Sequence, residues 1–131
     1  MGLKDKRRSG WGRLLRSFVY ASSGLKYVIV NEQNMQIHLL ISTVVILLSY
    51  VLSIPIIEQL ILIVVIGVVI ALEVMNTAIE RVVDLVTEEY HPLAELAKDL
   101  SAAAVFVFSI VAVIIGIIVF YQPMIEWFSR L

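Results

Sequence analysis

Polar and apolar positions along the chain fall into blocks. Residues 11 to 29, "WGRLLRSFVYASSGLKYVI", mix the two at helical spacing, with Trp11, Leu14, Leu15, Phe18 and Val19 on one face and Arg13 and Arg16 on another. That pattern predicts an amphipathic surface helix. Three long, mainly apolar blocks follow. The first covers about 33–54, through "HLLISTVVILLSYVLSIPII", and breaks at Pro55. The second covers about 56–86 and contains the charge-free "QLILIVVIGVVIAL" of residues 59 to 72. The third covers about 92–121 and is uncharged from Leu100 onward. Crossing hydrocarbon takes about 20 residues at roughly 1.5 Å each, so the first and third blocks span it comfortably. The second reaches that length only by including Glu73 and Asn76. The expected fold class is all-α and membrane-embedded: one domain, with a surface helix and three transmembrane helices.

Composition agrees with lipid as the main solvent. The chain is 60% apolar and 16% charged, with a mean hydropathy of +0.96. A soluble protein of 131 residues could not bury so much apolar surface. No cysteine is present, which excludes disulfides, thiolate metal sites and cysteine nucleophiles. Seven of the ten Lys and Arg residues (Lys4, Lys6, Arg7, Arg8, Arg13, Arg16 and Lys26) precede position 27. This bias, concentrated in a basic tail over residues 1–10 and the surface helix, places the amino terminus in the cytoplasm. The Pro55 turn then lies outside, residues 81 to 99 return to the cytoplasm, and the carboxyl end lies outside with Trp127 as an interface anchor. A cleavable signal peptide is not expected, because the first long apolar run begins past residue 33. A calmodulin-type target helix would look similar to residues 11–29, but beside three spans the membrane-surface reading is preferred. No nucleic-acid partner is expected.

The chemistry concentrates where the second block turns polar. Glu73, Asn76, Glu80 and Asp84 fall at i, i+3, i+7 and i+11, within about 80° of helical arc. Glu73 stands about 24 Å along the span, near the edge of the hydrocarbon. An ionisable group at that depth, flanked by Leu72, Val74 and Met75, is read as functional. Asp84 is equally well explained as an exposed residue past the membrane exit. Further along, Pro92 suits the first turn of a helix starting near His91 or Pro92. Lys98 and Asp99 then sit at the level of Glu80; alone they would be a solvated boundary pair, and their shared depth with the stripe makes them site candidates. Ala102, Ala103 and Ala104 form a small-residue patch that lets a neighbouring helix approach. Glu32 precedes the first span, so three helix ends could gather Glu32, Glu80 and Asp99, an oxygen-rich set suited to Mg²⁺. His38 is read as a packed polar residue. Glu88-x-x-His91 is half of a di-iron motif without its second copy and is set aside.

The chain has no glycine-rich phosphate loop of the G-x-x-x-x-G-K-[ST] type, no kinase catalytic-loop sequence and no G-x-S-x-G elbow. Any nucleotide must be held by side chains on helices. With "EVMNTAIERVVD" (73–84), "EEYHPLAELAKDLSAAAV" (88–105) and "GLKYVIVNEQN" (24–34), the sequence resembles the small bacterial integral-membrane diacylglycerol and undecaprenol kinases from about residue 13 to residue 120.

That resemblance implies a homotrimer and transfer of the ATP γ-phosphoryl group to a lipid hydroxyl in the bacterial cytoplasmic membrane. It implies Glu73 as general base and Glu32 and Glu80 as Mg²⁺ carboxylates. Asn76, Glu80, Lys98 and Asp99 would surround the nucleotide phosphates. Arg13, Tyr20, Glu89, Tyr90 and His91 would make further ATP contacts, with Glu73 and Ala102 beside the lipid. "NEQNMQIHLL", Ser22 in place of a Trp, and Glu95–Leu96 in place of Gly–Arg look more like the undecaprenol kinases of Gram-positive bacteria. Diacylglycerol is the alternative acceptor, since both lipids offer one primary hydroxyl. A small proton-coupled transporter or channel subunit, with Glu73 as its proton carrier, is the alternative of another class; it would not need Glu32, Lys98 and Asp99 at the boundary.

Overall fold

The computed structural model describes residues 10–130 as four helices, α1 (Gly10–Asn31), α2 (Gln33–Val51), α3 (Ile56–Val86) and α4 (Pro92–Phe128). Lys4, Lys6, Arg7 and Arg8 of the expected basic tail lie outside the described residues. The last three helices are each long and apolar enough to cross a membrane, which makes the chain a multi-pass membrane protein.

One residue separates α1 from α2. Glu32 has extended backbone (φ −105°, ψ 116°), yet its N–H still donates to Val28 O at 3.0 Å. The last carbonyls of α1 find polar side chains: Gln36 Nε2 reaches Ile29 O at 3.2 Å and Val30 O at 3.1 Å, and Asn31 Nδ2 reaches Tyr27 O at 2.8 Å. The helix end is therefore satisfied without a long loop. Glu32 makes no side-chain cap to α2, so its carboxylate is available elsewhere.

At the Pro55 end, α2 closes through Ser53, whose φ of +53° is in the left-handed region. Ile54 N–H bonds back to Ser49 O at 3.0 Å and Ser53 N–H to Tyr50 O at 3.1 Å. Pro55 then caps α3, consistent with its fixed φ and missing N–H. A small core closes this end, where Ile54, Leu62, Val119 and Phe120 are buried together.

The opposite end is an α3–α4 hairpin. Thr87 ends α3 and exchanges hydrogen bonds with Glu89, both at 3.1 Å. His91 caps α4, its Nδ1 accepting from Leu93 N–H at 3.2 Å, and Pro92 occupies the first turn. α4 runs past residue 121 and through Pro123 to Phe128. A proline removes one backbone donor, which membrane helices tolerate when neighbouring groups take up the freed carbonyl.

α3 and α4 form the most extensively packed pair. Elsewhere large apolar side chains stay uncovered, among them Leu47, Ile63, Phe106, Ile117 and Ile118. In water such a surface would aggregate; against hydrocarbon it is in its own solvent.

Candidate active site

The polar stripe of α3 is graded in burial. Glu73 and Asn76 are only 2% and 5% exposed, whereas Glu80 and Asp84 are half-buried. The spacing that puts the four on one side of α3 also turns its Glu73–Asn76 part toward α4, so the buried members must find partners across the helix pair. Asn76 does. Its Oδ1 accepts from Ser101 Oγ of α4 at 2.6 Å, and its Nδ2 donates to Glu80 Oε1 at 3.0 Å. Ser101 Oγ is also 2.9 Å from Lys98 O, so its single proton has a second acceptor nearby. Thr77, buried beside the stripe, bonds Glu73 O at 3.1 Å.

Two cavities flank this network. One, of about 320 Å³, is lined by Glu73, Asn76, Asn34, His38, Ala102 and Ser109. The other, of about 420 Å³, lies at the α3–α4 hairpin and is lined by Asp84, Glu89, Tyr90, His91, Lys98 and Asp99 among others. Both are within the range of small-ligand clefts. Asp84 and Glu73 are eleven residues apart on one helix, so the cavities are stacked roughly 16 Å apart along α3. Val105 and Phe106 contribute to the lower cavity, whereas the upper one is lined mostly by polar and charged side chains.

Ion pairs link the helices at this end. Lys98 Nζ lies 2.6 Å from Asp84 Oδ1, joining α4 to α3. Arg81 Nη2 lies 2.6 Å from Glu32 Oε1, and Arg81 Nη1 lies 3.5 Å from Asp84 Oδ2. The Arg81 guanidinium also sits 5.8 Å from the Tyr27 ring centroid.

The structure thus brings together Glu73, Asn76 and Ala102 in one cavity, and Glu89, Tyr90, His91, Lys98 and Asp99 in another. It does not gather Glu32, Glu80 and Asp99: among the described residues, no three His, Asp or Glu side chains form a metal cage. Asp99 faces the hairpin cavity beside Lys98, whereas Glu32 is drawn to Arg81 and Glu80 to Asn76. His38 lines the same cavity as Glu73. Arg13 and Tyr20 are exposed on α1 and line neither cavity. Sequence reasoning missed Ser101 and Arg81. A lone serine at the depth of Asn76, in "KDLSAAA", was the available signal for Ser101. Nothing local singles out Arg81.

Comparison with known proteins identifies the family. The chain is 40% identical to the undecaprenol kinase of Bacillus subtilis (strain 168), over 92% of its own length and 97% of that protein. It is 37% identical to a diacylglycerol kinase of Synechocystis, over 94% of its length and 73% of that protein. It is 33% identical to the diacylglycerol kinase of Escherichia coli K12, over 81% of its length and 87% of that protein. The family profile for prokaryotic diacylglycerol kinase matches residues 19–120, which include both cavities and every polar link between them. The chain belongs to the prokaryotic diacylglycerol kinase family.

Proposed function

We propose that the chain transfers the γ-phosphoryl group of ATP to the hydroxyl of undecaprenol, giving undecaprenyl phosphate at the cytoplasmic face of the bacterial membrane. One observation carries the reading: a buried carboxylate, Glu73, lines a cavity at the end of the charge-free run of α3, while Lys98 and Asp99 line a second cavity farther along the same two helices. A lipid alcohol and a water-soluble nucleotide can meet only at such a boundary.

Phosphoryl transfer depends mainly on positioning and charge neutralisation. In this reading Glu73 takes the proton of the acceptor hydroxyl, and the small Ala102 leaves room for it. Lys98 offsets phosphate charge, with Asn76, Glu80 and Asp99 around the phosphates. Glu89, Tyr90, His91, Arg13 and Tyr20 complete the nucleotide contacts. General base catalysis of this kind contributes about 10²–10⁴-fold.

Glu32 and Glu80 fit a Mg²⁺ site. Each uses its Oε1 in a bond to Arg81 or Asn76 and carries a second oxygen, and a hard cation asks for such donors. The missing three-residue cage is compatible with Mg²⁺, which usually takes one or two carboxylates plus phosphate oxygens and water. When bound, the ion would supply positive charge to offset that of the phosphates.

The uncovered apolar faces and the exposed Ala102–Ala104 patch support a homotrimer. Exposed Trp11, Leu14, Leu15 and Phe18 support α1 as an amphipathic helix on the cytoplasmic leaflet, and the basic bias supports a cytoplasmic amino terminus. Diacylglycerol is the second acceptor, favoured by the Synechocystis and E. coli relatives. Purified protein given radiolabelled ATP and each lipid in detergent decides between them: preferential labelling of undecaprenol is expected. Preference for diacylglycerol would reverse the order, and labelling of neither would return the proton-coupled reading.

A further inference from the structure

We propose that binding of the metal–nucleotide is coupled to an exchange of ion-pair partners along Glu32, Arg81, Asp84 and Lys98, with Arg81 as the positioning residue that holds Glu32 beforehand. The inference rests on the reading above of Glu32 as a metal carboxylate and Lys98 as a phosphate-facing cation.

The two residues assigned to the anionic nucleotide and its cation are both already engaged. Glu32 Oε1 is 2.6 Å from Arg81 Nη2, and Lys98 Nζ is 2.6 Å from Asp84 Oδ1. The second oxygen of Glu32 can face a divalent cation, but that cation would then stand close to the guanidinium, and the two positive charges oppose each other until Arg81 moves away. A lysine locked on an aspartate is not free to neutralise phosphate.

The same geometry supplies the way out. Asp84 is shared, gripped closely by Lys98 and only loosely, at 3.5 Å, by Arg81 Nη1. If Lys98 turns to the phosphates, Asp84 is left to Arg81. Arg81 can then swing fully onto it, pivoting beside the Tyr27 ring, and Glu32 is released. Arg81 is half exposed, so no packed core resists the movement. Charges stay matched throughout: two ion pairs become a metal-bound Glu32, an Arg81–Asp84 pair and a phosphate-bound Lys98. Nucleotide and metal therefore favour each other's binding, and the coupling is reciprocal.

The test uses the full chain in detergent micelles with Mn²⁺ as probe, its binding followed by electron paramagnetic resonance with and without a non-hydrolysable ATP analogue. Arg81→Gln should tighten Mn²⁺ alone by about three- to tenfold, the scale of losing one nearby cation and one exposed ion pair. It should also shrink the further gain that the analogue produces in the parent protein. Arg81→Lys keeps the charge but loses the planar fork, so it gives the same sign at smaller amplitude and stands in if the neutral variant fails to fold. Glu32→Gln should weaken Mn²⁺ binding. If Glu32→Gln weakens it while Arg81→Gln leaves Mn²⁺ affinity or the analogue's gain unchanged, the exchange is refuted and the metal role of Glu32 stands. If Glu32→Gln binds Mn²⁺ as well as the parent, the metal role of Glu32 fails and the exchange fails with it.

Discussion

Ser101 of α4 donates its hydroxyl to the side-chain oxygen of Asn76 on α3 at 2.6 Å, and both residues are buried. This one bond connects the helix carrying Glu73 to the helix carrying Lys98. It also fixes the orientation of the Asn76 amide, whose nitrogen faces Glu80. A buried network of this kind is stabilising only while every member is satisfied.

Ser101→Ala should therefore cost about 1–2 kcal/mol, since it leaves the Asn76 oxygen without its cross-helix donor. Thermal unfolding in detergent reads the loss. Phosphoryl transfer should fall as well, because Asn76 is free to rotate and no longer presents its nitrogen to Glu80. An unchanged melting temperature would mean that the bond is replaced by another donor.

Glu73→Gln keeps the shape and hydrogen-bonding capacity of the side chain but cannot accept the acceptor's proton as a base. Turnover should drop by about 10²–10⁴-fold. Nucleotide affinity, measured by equilibrium binding of a labelled analogue, should stay within about twofold, because Glu73 lines the lower cavity rather than the hairpin cavity. Normal turnover would remove Glu73 from the base role.

For Glu80→Gln the expected defect is in metal dependence. The amide oxygen of the new side chain can still accept from Asn76 Nδ2, so the local fold is kept while a negative ligand is lost. The Mg²⁺ concentration for half-maximal activity should rise by about tenfold or more. Stripping the cation with chelator should abolish activity in the parent protein and be reversed by added Mg²⁺. A Mg²⁺ titration coincident with the parent's would contradict the assignment.

Ser53 supplies a test of the fold away from the site. Its φ of +53° is uncomfortable for a residue with a Cβ and natural for glycine. Ser53→Gly should leave stability unchanged or raise it by up to about 1 kcal/mol, and Ser53→Val should lower it by about 1–2 kcal/mol. Activity per folded molecule should be the same in all three, because the turn lies roughly 25 Å from Glu73 along α3. Equal melting temperatures for the glycine and valine forms would argue against the left-handed turn.

Much of the helical architecture was legible because it is written locally. Long uncharged runs admit only helices in lipid, and Pro55 and Pro92 mark places where a helix can begin but not easily continue. The stripe of Glu73, Asn76, Glu80 and Asp84 follows from the residue period alone. Which of the four are buried does not, since that depends on which side of α3 meets α4. Asp84, equally readable as a bystander, turned out to hold Lys98. His38, read as a packed polar residue, lines the cavity around Glu73.

By itself the sequence determined an all-helical membrane chain, the stripe on which its carboxylates stand and the family to which it belongs. These depend on hydropathy, rise per residue and short motifs, all of which are properties of neighbouring positions. Only the tertiary structure decided that Glu32 meets Arg81 across 49 residues, that Asn76 is tied to Ser101, and that Asp99 turns to the hairpin cavity instead of joining Glu32 and Glu80. Such pairings are set by how far each helix is rotated about its own axis when it packs. A rotation of one residue, about 100°, would exchange every partner while leaving the hydropathy profile unchanged.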